Sequence, residues 1–168
     1  MGAAARAIYR SRQFFGALRP RVDAALRAEA FGLLSEPEQR LFESMTRRDQ
    51  QHCLEVYCRL RAQGHDDREL LTAALLHDAG KGRIALWHRV AFVLLETVAA
   101  GLLRRLASPG EGSGWRQALY RCLRHPELGA KLARQAGSTD RVAALIEAAD
   151  DLASDEWLLA LRAADDAA

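Results

Sequence analysis

His77 and Asp78 stand at the end of an apolar run, Leu70 to Leu76, and Gly80 and Lys81 follow almost at once. Adjacent imidazole and carboxylate groups cannot both enter an apolar core unless something polar waits there, and a divalent cation takes these two ligand types. Lys81 adds a point charge suited to phosphate. A second histidine, His52, shares a helical face with Cys53, Val56 and Leu60, so it also points inward. Leu70, Ala74 and His77 stack on one face of the next helix, and Leu71, Leu75 and Asp78 on the adjoining one. A further carboxylate comes from Asp165, which continues the stripe of Leu158 and Leu161; buried alone, it would cost several kcal/mol. Asp150, one turn after Ile146, is the competing residue. The pattern predicts one divalent ion held by His52, His77, Asp78 and Asp165. Such a ligand set accepts Mn, Fe, Co, Ni, Zn or Mg.

These residues need helices to carry them, and the chain reads as helix after helix. Ala, Leu, Arg and Glu dominate, and period-two clusters of β-branched and aromatic residues are missing. The breaks predict helices over 21–34, 37–46, 48–63, 67–77, 86–106, 115–123, 126–136, 140–150 and 155–165. Pro20 and Pro37 mark helix starts, and Ser35 with Glu38 has capping-box spacing. The Gly-rich stretch 108–114 lacks the Lys-Ser/Thr ending of a P-loop and reads as a surface loop. The expectation is an all-α, single-domain helical bundle of about seven to nine helices over residues 20–168, preceded by an N-terminal arm or short helix over 1–19.

Bulk properties narrow the functions. At 168 residues the chain suits one domain. A net charge of +2 and a pI of about 8.6 give no footprint for a nucleic-acid polymer. Three cysteines without C-x-x-C spacing read as reduced thiols of a cytoplasmic protein. Val90 to Leu103, interrupted by Glu96, is shorter than the ~20 apolar residues of a membrane span and reads as a buried core helix. Oligomeric state stays open, with a homodimer through Trp157 or Phe14-Phe15 as one arrangement.

The order His52 … His77-Asp78 … Asp165 resembles the H…HD…D signature of the HD-domain superfamily of metal-dependent phosphohydrolases. Leu76-His77-Asp78-Ala79-Gly80-Lys81 is similar to that family's most typical stretch. His125-Pro126-Glu127-Leu128-Gly129-Ala130 resembles the HPE-x-GA segment of several of its branches. The resemblance covers about residues 40–166 and implies packed helices with the metal held between them. It implies hydrolysis of a phosphate ester of a nucleotide or related small molecule. The metal would act as Lewis acid and lower the pKa of a water, with Asp78, Lys81 and His125 as catalytic residues and Lys81, His88, Arg89 and His125 facing the substrate. His125 is open to three roles: phosphate contact, ligand to a second ion, or general acid. Lys81 also reads as a solvent-facing helix-end lysine, and Trp87-His88-Arg89 as a staple of a helix start. Binuclear members add histidines in the helix after the HPE segment, whereas residues 141–150 contain none, so a mononuclear site is expected. The triplet after the HD pair is not that of the HD-GYP branch and does not support a cyclic-dinucleotide substrate. The alternative function is a catalytically degenerate HD domain that binds a nucleotide or a partner protein without turnover. A di-iron oxygenase of the same fold needs more ligands than the chain offers.

Overall fold

The computed structural model describes residues 24–109, 114–148 and 154–168. Among them are nine α-helices, one 3-10 turn and no strand. The helices are α1 (Ala24–Leu33), α2 (Glu36–Ser44), α3 (Arg47–Ala62), α4 (Arg68–Leu76), α5 (Leu86–Leu106), α6 (Trp115–Leu123), α7 (His125–Gln135), α8 (Asp140–Glu147) and α9 (Glu156–Ala167); the 3-10 turn is Ala79–Lys81. The all-α expectation holds. The N-terminal arm over 1–19, Pro20 and Phe14-Phe15 lie outside the described residues, as do Asp150 and part of the Gly-rich stretch.

Helix α4 is the hub. Every residue from Leu70 to Leu76 is buried, because α1, α2, α3, α8 and α9 pack around it. Each fully buried leucine there contributes about 1.5–3 kcal/mol. Asp67 starts the helix by accepting the backbone N–H groups of Glu69 and Leu70 at 2.9 and 3.1 Å. Its other end is abrupt. The last helical residue is Leu76, and Asp78 adopts φ −91°, ψ 0° as the chain turns into the 3-10 segment. Gly82 stops that segment at φ 62°, a backbone conformation that needs glycine.

The polar helix starts follow from sequence. Glu38 accepts from the backbone N–H and the hydroxyl of Ser35 at 2.8 and 2.9 Å, and its second oxygen accepts from Ser138 at 2.7 Å. One buried carboxylate thus caps α2 and ties it to the α7–α8 connection. Helix α8 is shorter than the spacing predicts. It stops at Glu147, and Ala148 takes the left-handed conformation with φ 53°.

Helix α5 corrects the expectation of a fully buried core helix. Its inner face carries the buried Leu103, and Phe92 packs on a small cluster of Ile84, Ala118 and Cys122. The opposite face exposes Trp87, Val90, Val93, Leu94, Val98 and Leu102. The reason is that α5 packs mainly on α6, and one neighbour cannot cover a helix with apolar residues on more than one face. Ala99 interrupts it with φ −149°, ψ 54°.

Candidate metal centre

The second turn of α3 supplies His52, the chain leaving α4 supplies His77 and Asp78, and the last turn of α9 supplies Asp165. Single ligand atoms of His52, His77 and Asp78 lie within 4.8 Å of one another. Asp165 Oδ1 is 2.7 Å from His52 Nε2 and 3.5 Å from His77 Nε2. Asp165 thus lies against the two histidines, while the close cluster itself is His52, His77 and Asp78. Their settings differ: the Asp78 side chain is 2% exposed and that of Asp165 is 44% exposed.

The fit to a cation rests on two facing atoms. His77 Nε2 and Asp78 Oδ1 are buried, make no well-directed hydrogen bond, and stand 3.4 Å apart, with Asp165 Oδ1 3.5 Å from the first and Lys81 Nζ 2.6 Å from the second. Ligand atoms about 2.1 Å from a tetrahedral ion stand about 3.4 Å from each other. His77 Nδ1 faces the Ala74 carbonyl oxygen at 2.9 Å. Donating its hydrogen there leaves the Nε2 lone pair for the centre, as outer hydrogen bonds do for metal-binding histidines. Cys53 Sγ lies 3.7 Å from the same Nδ1, so this residue, read from sequence as core only, also helps hold the ring.

The electrostatics of the protein alone call for positive charge. Burial pushes the Asp78 carboxyl up, but His77, Lys81 and His52 outweigh it and hold it well below the usual carboxylate range. Burial likewise opposes ionisation of Asp165, and the His52 hydrogen bond together with the nearby His77 ring overrides it. Burial disfavours charge on His77, yet Cys53, Asp78 and Asp165 around it raise its pKa well above the ordinary value. Lys81 Nζ lies 2.6 Å from each oxygen of Asp78 and donates to Oδ2. It is not the solvent-facing lysine of the plainer reading. Burial works against its charge, and Asp78 raises its pKa regardless.

The 3-10 turn is seated on α7. A Cβ on Gly80 would overlap the carbonyl oxygen of His125 and stand 2.6 Å from the nitrogen of Gly129. One on Gly129 would stand 3.4 Å from Gly80 N and from the His77 carbonyl oxygen. The glycines of the HD and HPE segments thus let two backbones touch. His125 Nδ1 faces the Cys122 carbonyl oxygen at 2.8 Å. Burial and the nearby Lys81 lower its pKa, so at neutral pH it is a neutral imidazole whose Nε2 accepts. That state suits a ligand or a base better than a general acid.

The substrate-facing residues expected on α5 are placed differently. Both nitrogens of the Arg89 fork bind Asp49, at 2.7 and 2.6 Å. His88 stacks on Trp87 with ring centroids 3.6 Å apart and lies outside the cluster. Sequence reasoning missed Asp49. Its signal was present, since Thr46-x-x-Asp49 has capping-box spacing, and Thr46 donates to Asp49 Oδ2 at 2.6 Å. Asp49 is buried, so Arg89→Ala leaves an uncompensated charge. The expected loss is about 3 kcal/mol, read from urea unfolding; Arg89→Lys restores only part of it because lysine cannot reproduce the fork.

A family model described as HD domain matches residues 50–162, most of the chain. The match includes His52, His77 and Asp78 and ends just before Asp165. HD domains are generally metal-dependent hydrolases. Neither the curated proteins nor the solved structures contain a match to this chain.

Proposed function

This chain belongs to the HD-domain family of metal-dependent phosphohydrolases, and from that premise we propose that it hydrolyses a phosphate ester of a nucleotide or related small molecule. The observation that carries the reading is the facing pair of buried atoms that lack a well-directed hydrogen bond, His77 Nε2 and Asp78 Oδ1, with His52 beside them. In this reading His52, His77, Asp78 and Asp165 hold one divalent ion. When bound, the ion supplies Lewis acidity toward a phosphoryl oxygen and lowers the pKa of a water.

The residues have separable tasks. Ala74 orients the His77 ring through its carbonyl. Lys81 keeps Asp78 ionised and in place, donating to Oδ2 and standing 2.6 Å from Oδ1, which faces His77. Lys81 retains hydrogens to meet a phosphate charge beside Asp78. His125, neutral and fastened at Nδ1, offers Nε2 as a proton acceptor. Arg89 acts on the site only through Asp49, three residues before His52 on the same helix, so it is a positioning residue in this scheme.

Elemental analysis of protein purified without chelator, followed by a screen of phosphomonoesters and phosphodiesters, tests the proposal. About one equivalent of metal and metal-dependent phosphate release are expected. Bound metal without turnover of any ester would favour the binding-module reading, which the absence of histidine from α8 motivates. No metal uptake even from added manganese or nickel would defeat both.

Metal uptake should strengthen as pH rises. The raised pKa of His77 means a proton persists on its ring above the ordinary histidine value of about 6.5, and an incoming ion must displace it. Asp78 and Asp165 are already ionised in this range and add no slope. Apparent affinity should therefore climb by up to about tenfold per pH unit until His77 is neutral. Titration with manganese at several pH values measures this, and a flat profile would contradict it.

A further inference from the structure

The outer face of α5 and the start of α6 form an apolar surface that the proposed chemistry does not use. Trp87, Val90, Leu94 and Val98 follow one another at three- and four-residue steps along three turns, and all are exposed. Leu94 is 60% and Val98 82% exposed. Trp115, at the first position of α6, is exposed too. An exposed helix face this apolar belongs in a core or against lipid, and α6 is the one helix that packs extensively on α5, while the exposed Glu96 and Thr97 interrupt the apolar character of α5. The two helices are fastened to each other: the Arg116 side chain donates to the carbonyl oxygens of Leu106 and Arg105, at 2.9 and 3.4 Å.

The charge around this face decides what fits it. Residues 82–124 contain seven arginines and two glutamates, a surplus of five positive charges in a chain of net charge +2. Arg89 is paired with Asp49 and Arg124 with Glu127, which leaves a surplus of three. Among the described residues Arg83, Arg104, Arg105 and Arg116 form no ion pair with any acidic side chain. A second copy would present the same positive surplus to it. A surface that joins exposed leucine, valine and tryptophan with unpaired arginines is complementary to anionic lipid headgroups above an apolar boundary. Tryptophan suits that boundary because one end is apolar and the other polar. No helix among the described residues is long and apolar enough to cross a membrane, so contact would be in the plane of the surface.

We propose that the α5–α6 pair is a peripheral docking surface for an anionic lipid bilayer, with Trp87, Val90, Leu94 and Val98 entering the interface and Arg104 and Arg105 meeting the headgroups. The test is cosedimentation of the full chain with vesicles of phosphatidylcholine alone or mixed with phosphatidylglycerol. Wild-type protein should pellet with the mixed vesicles and stay in solution with the neutral ones. Leu94→Asp with Val98→Asp should reduce partition at least about tenfold, and Arg104→Gln with Arg105→Gln should do so as well. Both changes lie on exposed positions, so circular dichroism and metal content should match wild type. Protein that ignores the mixed vesicles at low salt overturns the proposal. So does binding that survives the two aspartates, which would be charge attraction without insertion. A stable dimer that Leu94→Asp dissociates would assign the face to a second copy and overturn it equally.

Discussion

Asp78→Ala should leave the protein without metal and lower phosphoester turnover by on the order of 1,000-fold. Metal ions supply several kcal/mol of transition-state charge stabilisation, and about 4 kcal/mol corresponds to that factor. Asp78 carries this weight because of where it sits. It is the most deeply buried of the four converging side chains. It presents Oδ1 to His77 at 3.4 Å and accepts from Lys81 at Oδ2. Removing the carboxylate therefore deletes a ligand and leaves a buried ammonium uncompensated, which also lowers stability by several kcal/mol. Asp78→Asn separates the two effects. It keeps the volume and an acceptor for Lys81, so it should fold while remaining inactive and metal-poor. Asp165→Asn should weaken metal binding less, because that side chain is half exposed and water can replace it. Elemental analysis and phosphate release on the three variants measure this, and full metal content in Asp78→Ala would refute the assignment.

Gly80→Ala should destabilise the protein by more than about 4 kcal/mol. For a chain of this length that lowers Tm by roughly 8–16 °C. The added Cβ overlaps the backbone carbonyl of His125 and crowds the nitrogen of Gly129, so no side-chain rotation relieves it. Relief requires moving α7 or the 3-10 turn, and the turn follows directly on His77 and Asp78. Any protein that folds should thus bind metal more weakly than wild type. Gly32→Ala is the control: it is an exposed position of α1 with nothing within 4 Å of its added Cβ, and should be neutral or stabilising by up to about 1 kcal/mol. Thermal unfolding of the two variants compares them directly. Equal melting temperatures would show that the turn is not clamped as described.

The helices and their inward faces were legible in the chain because both depend on short-range chemistry. Capping at Ser35, glycine and proline punctuation, and the recurrence of leucine and alanine at helical spacing act within a few residues, and the observed helices begin within three residues of the expected starts. The same periodicity aimed His52, His77, Asp78 and Asp165 at the interior, and the His77-Asp78 stretch carried the family resemblance.

Where those faces lead was not legible. His52 and Asp165 are 113 residues apart, and their contact exists only because α3 and α9 pack on each other beside α4. Arg89 looked free to meet phosphate, yet it is claimed by Asp49, 40 residues earlier. Helix α5 reads as core by composition, but burial depends on having neighbours on every side, and the packing supplies one. Residue type and spacing decide which atoms can serve a cation and which way they face along a helix. The number of partners each face meets, and therefore what is satisfied, clamped or left exposed, is settled only when distant helices close around α4.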